Sequence, residues 1–193
     1  MGNIEQKIPK IIHYCWFGGN PLPELIQNCI ASWKKYCPDY KIVEWNEKNF
    51  DVHCNQFVEE AYQAKKWAFV ADYARLYVLY QYGGVYLDTD VELLRPIDEF
   101  LVNKAFTGFE TKDSPALITF GCIKGHSLIK TVMEYYENRS FVKADGAYDM
   151  KPNTRIFTEL MENNGLCLNG RKQTVCDCTF YPPIVFSPNN LRR

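Results

Sequence analysis

The sequence predicts an α/β domain built on a mostly parallel central sheet, and three observations predict it. Residues 10–17, KIIHYCWF, form a nearly continuous apolar run between Pro9 and Gly18-Gly19. Such a run suits a strand buried on both faces, as in a parallel sheet. LPELIQNCIASWKKY then places Leu25, Ile26, Cys29, Ile30 and Trp33 at helical spacing. After the turn CPDY, KIVEW at 41–45 reads as a second strand, so the chain opens strand, helix, strand. With 193 residues and 47% hydrophobic content the chain suffices for one well-packed core, and a single domain over 1–193 is the economical reading.

The later elements follow from the same patterns. Residues 55–64 read as a short helix, and 66–82, KWAFVADYARLYVLYQY, as a longer one that is apolar nearly all round. Gly83-Gly84 supply its left-handed C-terminal cap. VYL makes a short buried strand that ends at Asp88 and Asp90. Segments 105–109 and 116–120 read as strands, 127–137 and NTRIFTELMENNG as helices, and TFYPPIVFSPNN as one more extended segment.

Composition excludes several classes. The net charge is -1 and the basic residues are scattered, which gives no electrostatic footprint for nucleic acid. No apolar stretch approaches the ~18 residues that span a bilayer. The start, MGNIEQKIPK, has no apolar leader core, and its Met-Gly lacks the Ser or Thr at position 6 that myristoylation wants. The expected location is the cytoplasm. The 8 cysteines are then expected as free thiols. Cys167, Cys176 and Cys178 have a spacing foreign to zinc sites. The sequon Asn138-Arg139-Ser140 has no role in a cytosolic chain.

The residues that carry chemistry gather around residue 88. Asp88 and Asp90 are i, i+2 at a strand end and can converge on one point. Two hard oxygen ligands suit Mn²⁺ or Mg²⁺. The plainer alternative makes Asp88 an Asx-turn residue and Asp90 a solvated turn carboxylate. Asp72 and Arg75 are i, i+3 on the apolar helix, so they share a face and are expected to be partly buried. A buried charge needs a partner or a ligand. They form either an internal ion pair or a hydroxyl-binding pair in the same pocket as Asp88. Trp16 ends the first strand, where ligands of open α/β sheets bind, and is either a base-stacking residue or a core tryptophan. His13 reads as a satisfied core histidine. GCIKGH at 121–126 is glycine-rich but lacks the order of a phosphate-binding loop.

IPKIIHYCWFGG followed by ADYARLYVLYQYGGVYLDTDVE resembles the Asp-x-Asp sugar-binding glycosyltransferases of family 32. These include bacterial capsular and lipooligosaccharide transferases and fungal mannosyltransferases, and are distant relatives of the large glucosylating toxins. The resemblance covers about residues 8–98. It implies a GT-A fold, a Rossmann-like α/β/α sandwich, and a metal-dependent, retaining hexosyl transfer from a UDP- or GDP-linked sugar. The acceptor would be a glycan or lipid-linked saccharide, with a place in surface polysaccharide synthesis and peripheral contact with the inner membrane face. By the same resemblance Trp16 and Phe17 border the donor, with Trp16 at the base, and Asp72 and Arg75 contact its sugar. Asp88 reaches ribose or sugar and supports the metal, and Asp90 ligates Mn²⁺ or Mg²⁺. Asp88, Asp90 and Arg75 are the residues nearest the chemistry. Relatives continue past the segment matching TFYPPIVFSPNN into a tail that closes over the diphosphate, and the expectation here is a domain without it. Two other readings stand beside this one. One is a non-catalytic nucleotide-sugar-binding module of the same fold. The other is a haloacid-dehalogenase-type phosphohydrolase, whose Asp-x-Asp belongs on the first strand.

Overall fold

The computed structural model describes residues 7–188. The expectations for the leader, for position 6 and for the end of the last extended segment fall on residues outside that range. Strands are β1 (Ile11–Cys15), β2 (Lys41–Trp45), β3 (Gly84–Leu87), β4 (Ala105–Phe109), β5 (Pro115–Cys122), β6 (Gln173–Val175) and β7 (Cys178–Tyr181). Helices are α1 (Glu24–Tyr36), α2 (Gln56–Gln63), α3 (Trp67–Tyr82), α4 (Ser127–Glu134), α5 (Asn153–Asn163) and the short α6 (Pro183–Phe186).

The strands form one sheet in the order β2-β1-β3-β5-β4-β7-β6. Relative to β1, the strands β2, β3, β4 and β7 run in the same direction and β5 and β6 run against it. The sheet is therefore mostly parallel by direction, with β5 inserted as the reversed neighbour of β3. Side-chain alternation divides the interior into two cores. Cys15, Tyr86, Phe120 and Phe180 pack under α2, α3, α4 and α5. Ile12, Tyr14, Val85 and Leu87 pack under α1 and the 93–101 segment, with α6 against them. The result is the expected α/β/α layering.

The join between α3 and β3 fixes the site, and it needs glycine for two reasons. Gly83 has φ +66 and ψ -166, and its N–H donates to the Leu79 carbonyl at 2.8 Å. This is a positive-φ stop but not the left-handed helical well expected from the sequence, because the chain leaves at once in extended form. At Gly84, with φ +102, a Cβ would lie 2.7 Å from the backbone oxygen of Ile11, so only glycine lets β3 run beside β1.

His13 is the satisfied core residue expected. Trp45 Nε1–H, which can only donate, points at His13 Nδ1 at 3.0 Å. His13 Nε2 must therefore carry the proton and donates to the Gly83 carbonyl at 2.8 Å. The neutral ring thus ties β1 and β2 to the α3–β3 junction. Burial holds its pKa down to about 4.

Three departures are local. The expected helix over 127–137 ends at Glu134. The final extended segment becomes β7 and then α6, which Pro183 starts at its first turn. The β6–β7 hairpin was not expected. Its turn residues Cys176 and Asp177 take φ of 50 and 59, in place of the glycine or asparagine that signals such turns.

Candidate active site

The Asp-x-Asp segment is built by backbone bonds from three elements. Asp88 N–H donates to the Ile118 carbonyl of β5 at 2.9 Å, which extends the β3–β5 pairing by one residue. Val91 N–H then donates to the Asp88 carbonyl at 3.0 Å and closes a turn. α1 secures the chain beyond this turn: Trp33 Nε1–H donates to the Val91 carbonyl at 2.7 Å, and Leu93 N–H to Ser32 Oγ at 2.9 Å. The turn anticipated as the plainer reading is present, but main-chain atoms close it. The Asp88 carboxylate is thereby free for other partners, and Asp90 sits exposed on the turn.

Those partners come from α3. The Arg75 guanidinium lies 3.1 Å from Asp72 Oδ1 and 3.2 Å from Asp88 Oδ1. It also donates to the Leu117 carbonyl at 3.2 Å and sits 4.7 Å from the centre of the Tyr86 ring. The three charged side chains are only 12% (Arg75), 15% (Asp72) and 24% (Asp88) exposed. Burial pushes the Asp72 and Asp88 carboxyls above the usual carboxylate range, and the charge of Arg75 works against that rise. Burial likewise opposes the charge on Arg75, but its neighbours Tyr86, Asp88 and Asp72 together outweigh it and hold the guanidinium more firmly charged than usual. One cation shared between two mostly buried carboxylates leaves surplus acceptor capacity where they reach the surface. Hydroxyl groups of a ligand can meet it.

Trp16 and Phe17 part ways. Trp16 is half-exposed, and its Nε1–H donates to the Asn20 carbonyl at 2.6 Å, which fixes the ring beside the Gly18-Gly19 turn. Phe17 points to the opposite face of the sheet, is 5% exposed and meets Phe50 edge-on at 5.8 Å. That ring is core, so a Phe17 that borders the donor does so through its backbone.

Asn153 was missed in the sequence. It opens α5, and its Nδ2 donates to the Asp72 carbonyl at 2.8 Å, while its Oδ1 is buried without a hydrogen-bond partner. Nothing in the local sequence beyond Pro152-Asn153 marks it. Tyr86, which supports Arg75 from below, was read only as a strand residue.

Among the described residues no group of three or more His, Cys, Asp or Glu is placed to hold a metal. Asp90, exposed two residues after Asp88, offers hard carboxylate oxygens of the kind a divalent cation such as Mn²⁺ or Mg²⁺ takes. Cys178 is buried in β7, and Cys167 and Cys176 are exposed. On the far side of Asp90 lies a groove of about 820 Å³ between the 90–97 segment and α6. No helix of the described residues is long and apolar enough to cross a membrane.

This architecture is of the GT-A type. Among solved structures, PaToxG glycosyltransferase superposes with a TM-score of 0.58 at 18% identity, over 82% of this chain and 69% of that one. That is a likeness of fold. Residues 23–107 match the family described as the glycosyltransferase sugar-binding region containing DXD motif. They include Asp72, Arg75, Asp88 and Asp90. Inositol phosphoceramide mannosyltransferase 1 of Schizosaccharomyces pombe is 31% identical over 112 residues, covering 52% of this chain and 34% of that protein. Inositol phosphoceramide mannosyltransferase 3 of the same yeast is 30% identical over 139 residues, covering 68% and 38%. The chain thus spans well under half the length of these curated relatives.

Proposed function

We propose that this protein transfers a hexose from a nucleoside-diphosphate sugar to a saccharide acceptor, with a divalent cation and with retention at the anomeric carbon. The observation that carries the reading is Arg75 held between Asp72 and Asp88, one turn away from an exposed Asp90. The match of residues 23–107 to a sugar-binding region supports it. The relatives' names support mannose as a donor sugar and a lipid-linked acceptor. A cytoplasmic location with peripheral membrane contact belongs to the same reading.

The chemistry follows from charge. The bond from the anomeric carbon to the diphosphate oxygen breaks, and the nucleoside diphosphate departs with the electron pair. A bond from an acceptor hydroxyl oxygen to the same carbon forms on the same face, and the hydroxyl proton passes to the departing diphosphate. Asp72, Arg75 and Asp88 hold the sugar hydroxyls and fix the ring, which removes orientational freedom before reaction. In this reading the Arg75 charge favours the electron-rich leaving group. Trp16 offers the base an aromatic face. Asp90, with support from Asp88, would hold Mn²⁺ or Mg²⁺, and that ion, when bound, neutralises the diphosphate as a Lewis acid.

The test is a donor panel of UDP- and GDP-linked hexoses with Mn²⁺, read by nucleoside-diphosphate release and by the anomeric configuration of the product. Release from one donor, abolished in Asp90→Ala, supports the reading. Binding of a donor with no release in the presence of varied acceptors would favour a binding module instead.

A further inference from the structure

Of the 4 tryptophans in the chain, three donate their indole N–H to the protein. Trp16 donates to the Asn20 carbonyl at 2.6 Å, Trp33 to the Val91 carbonyl at 2.7 Å and Trp45 to His13 Nδ1 at 3.0 Å. Trp67, the first residue of α3, is the exception. Its ring is half-buried, and among the described residues its Nε1–H has no acceptor. An indole nitrogen can only donate, and a tryptophan drawn into the protein ordinarily finds its N–H a partner.

The place of this free donor is specific. The pyrrole edge of Trp67 lies against Gly18, the second residue after Trp16. A Cβ on Gly18 would sit 2.6 Å from Trp67 Nε1 and 2.8 Å from its Cε2, and Gly18 has φ +92, so the turn needs glycine for the contact as well as for its own backbone. The Gly18 N–H is already taken by Glu47 Oε1 at 2.6 Å. Trp16 and Trp67 reach this turn from opposite layers: Trp16 packs against the core under α1, and Trp67 against the core under α2, α3, α4 and α5. Tyr62 packs on Trp67 with its ring tilted at 5.2 Å. Along α3, Trp67, Ala71 and Arg75 are spaced i, i+4, i+8 and share one row, with Arg75 about 12 Å further along the axis. That is the order of length from a nucleobase, across two phosphates, to the sugar. Ala68 is exposed and Ala71 half-buried, and neither has a side chain long enough to obstruct the row.

We propose that Trp67 recognises the base of the donor nucleotide, by donating its Nε1–H to a ring carbonyl oxygen of a base whose face lies on Trp16. The inference rests on the transferase reading and adds to it the chemical class of the base. Uracil and guanine present such an oxygen, and adenine presents an amino group instead.

The experiment uses the full chain with Mn²⁺ and needs no acceptor. Affinities for UDP, GDP and ADP are measured by calorimetry on wild type and on Trp67→Phe, together with both melting temperatures. Wild type is expected to bind UDP or GDP at least about tenfold more tightly than ADP, because a site built to hydrogen-bond one group rejects an analogue without it. Trp67→Phe keeps an aromatic ring and loses the donor. It should bind the preferred nucleotide at least about threefold more weakly, the worth of one ordinary hydrogen bond, and bind ADP as wild type does. If Trp67→Phe melts well below wild type, wild type is compared on the preferred nucleotide and its thiocarbonyl analogue, whose sulfur is a poor acceptor: weaker binding of the analogue supports the proposal and equal binding overturns it. Unchanged affinity in a folded Trp67→Phe would overturn it too. So would equal weakening of all three nucleotides, the result of a structural role or of a contact to the ribose, and so would ADP bound by wild type as tightly as UDP and GDP. A wild type that binds no nucleoside diphosphate would sink the transferase reading itself, whereas the failures particular to Trp67 appear only once wild type has bound one.

Discussion

The Arg75 guanidinium reaches across from α3 to lie 3.2 Å from the Asp88 carboxylate at the end of β3, with Asp72 on its other side at 3.1 Å. This relationship makes one buried unit of the helix and the Asp-x-Asp turn.

Removing the shared cation should leave two desolvated carboxylates facing each other. Arg75→Met is expected to cost about 3–5 kcal/mol at neutral pH, the usual result of stripping one partner from a buried ionic group. The sign with pH follows from the raised carboxyls. A carboxyl with its folded pKa above the unfolded value binds more protons when folded, so stability falls as pH rises through the folded pKa and returns as pH drops. The deficit of Arg75→Met should therefore shrink between neutral pH and mildly acidic pH, as read by urea denaturation. A deficit that does not vary with pH would contradict this.

Trp16 and Phe17 should separate binding from folding. Trp16→Ala is expected to weaken nucleotide binding by about 1–3 kcal/mol, the usual worth of an aromatic face under a base, with little change in stability. Phe17→Ala should cost about 3–5 kcal/mol of stability, because its ring is core. Calorimetric titration and melting of both variants check the contrast.

His13 should make the fold acid-sensitive. Its folded pKa of about 4 lies below the ordinary value of 6.5, so the unfolded chain binds the extra proton first. Its contribution is present above pH 6.5 and is lost as pH falls from 6.5 to about 4, amounting to up to about 3 kcal/mol. His13→Gln should be less stable at neutral pH and should lack this part of the acid dependence.

Most of the layered fold was legible because its signals are local. KIVEW marked β2 to the residue, and the two glycines after an apolar helix marked where β3 begins. Asp72 and Arg75 were legible because charges on so apolar a helix must find partners, and Asp88 because it ends a buried strand. Asn153 was not, since its bond to Asp72 joins positions 81 apart in sequence. Pairing Phe17 with Trp16 left out the alternation along the strand, which buries the Phe17 ring on the opposite face. The β6–β7 hairpin was hidden by a turn of Cys176-Asp177, a pair without the glycine or asparagine that marks positive φ.

The central claim is that Asp90 and the Arg75 cluster form a metal-dependent nucleotide-sugar site. Thermal melting with nucleoside diphosphates and their sugars, with and without Mn²⁺, tests it most directly when wild type and Asp90→Ala are compared. At a ligand concentration of ~100 Kd the gain is about 2.7 kcal/mol, or roughly 5–10 °C for a domain of this size. The account predicts such a shift for one base, dependent on Mn²⁺ and absent in Asp90→Ala. A folded wild type that no nucleotide stabilises, or a shift of equal size in Asp90→Ala, would contradict it.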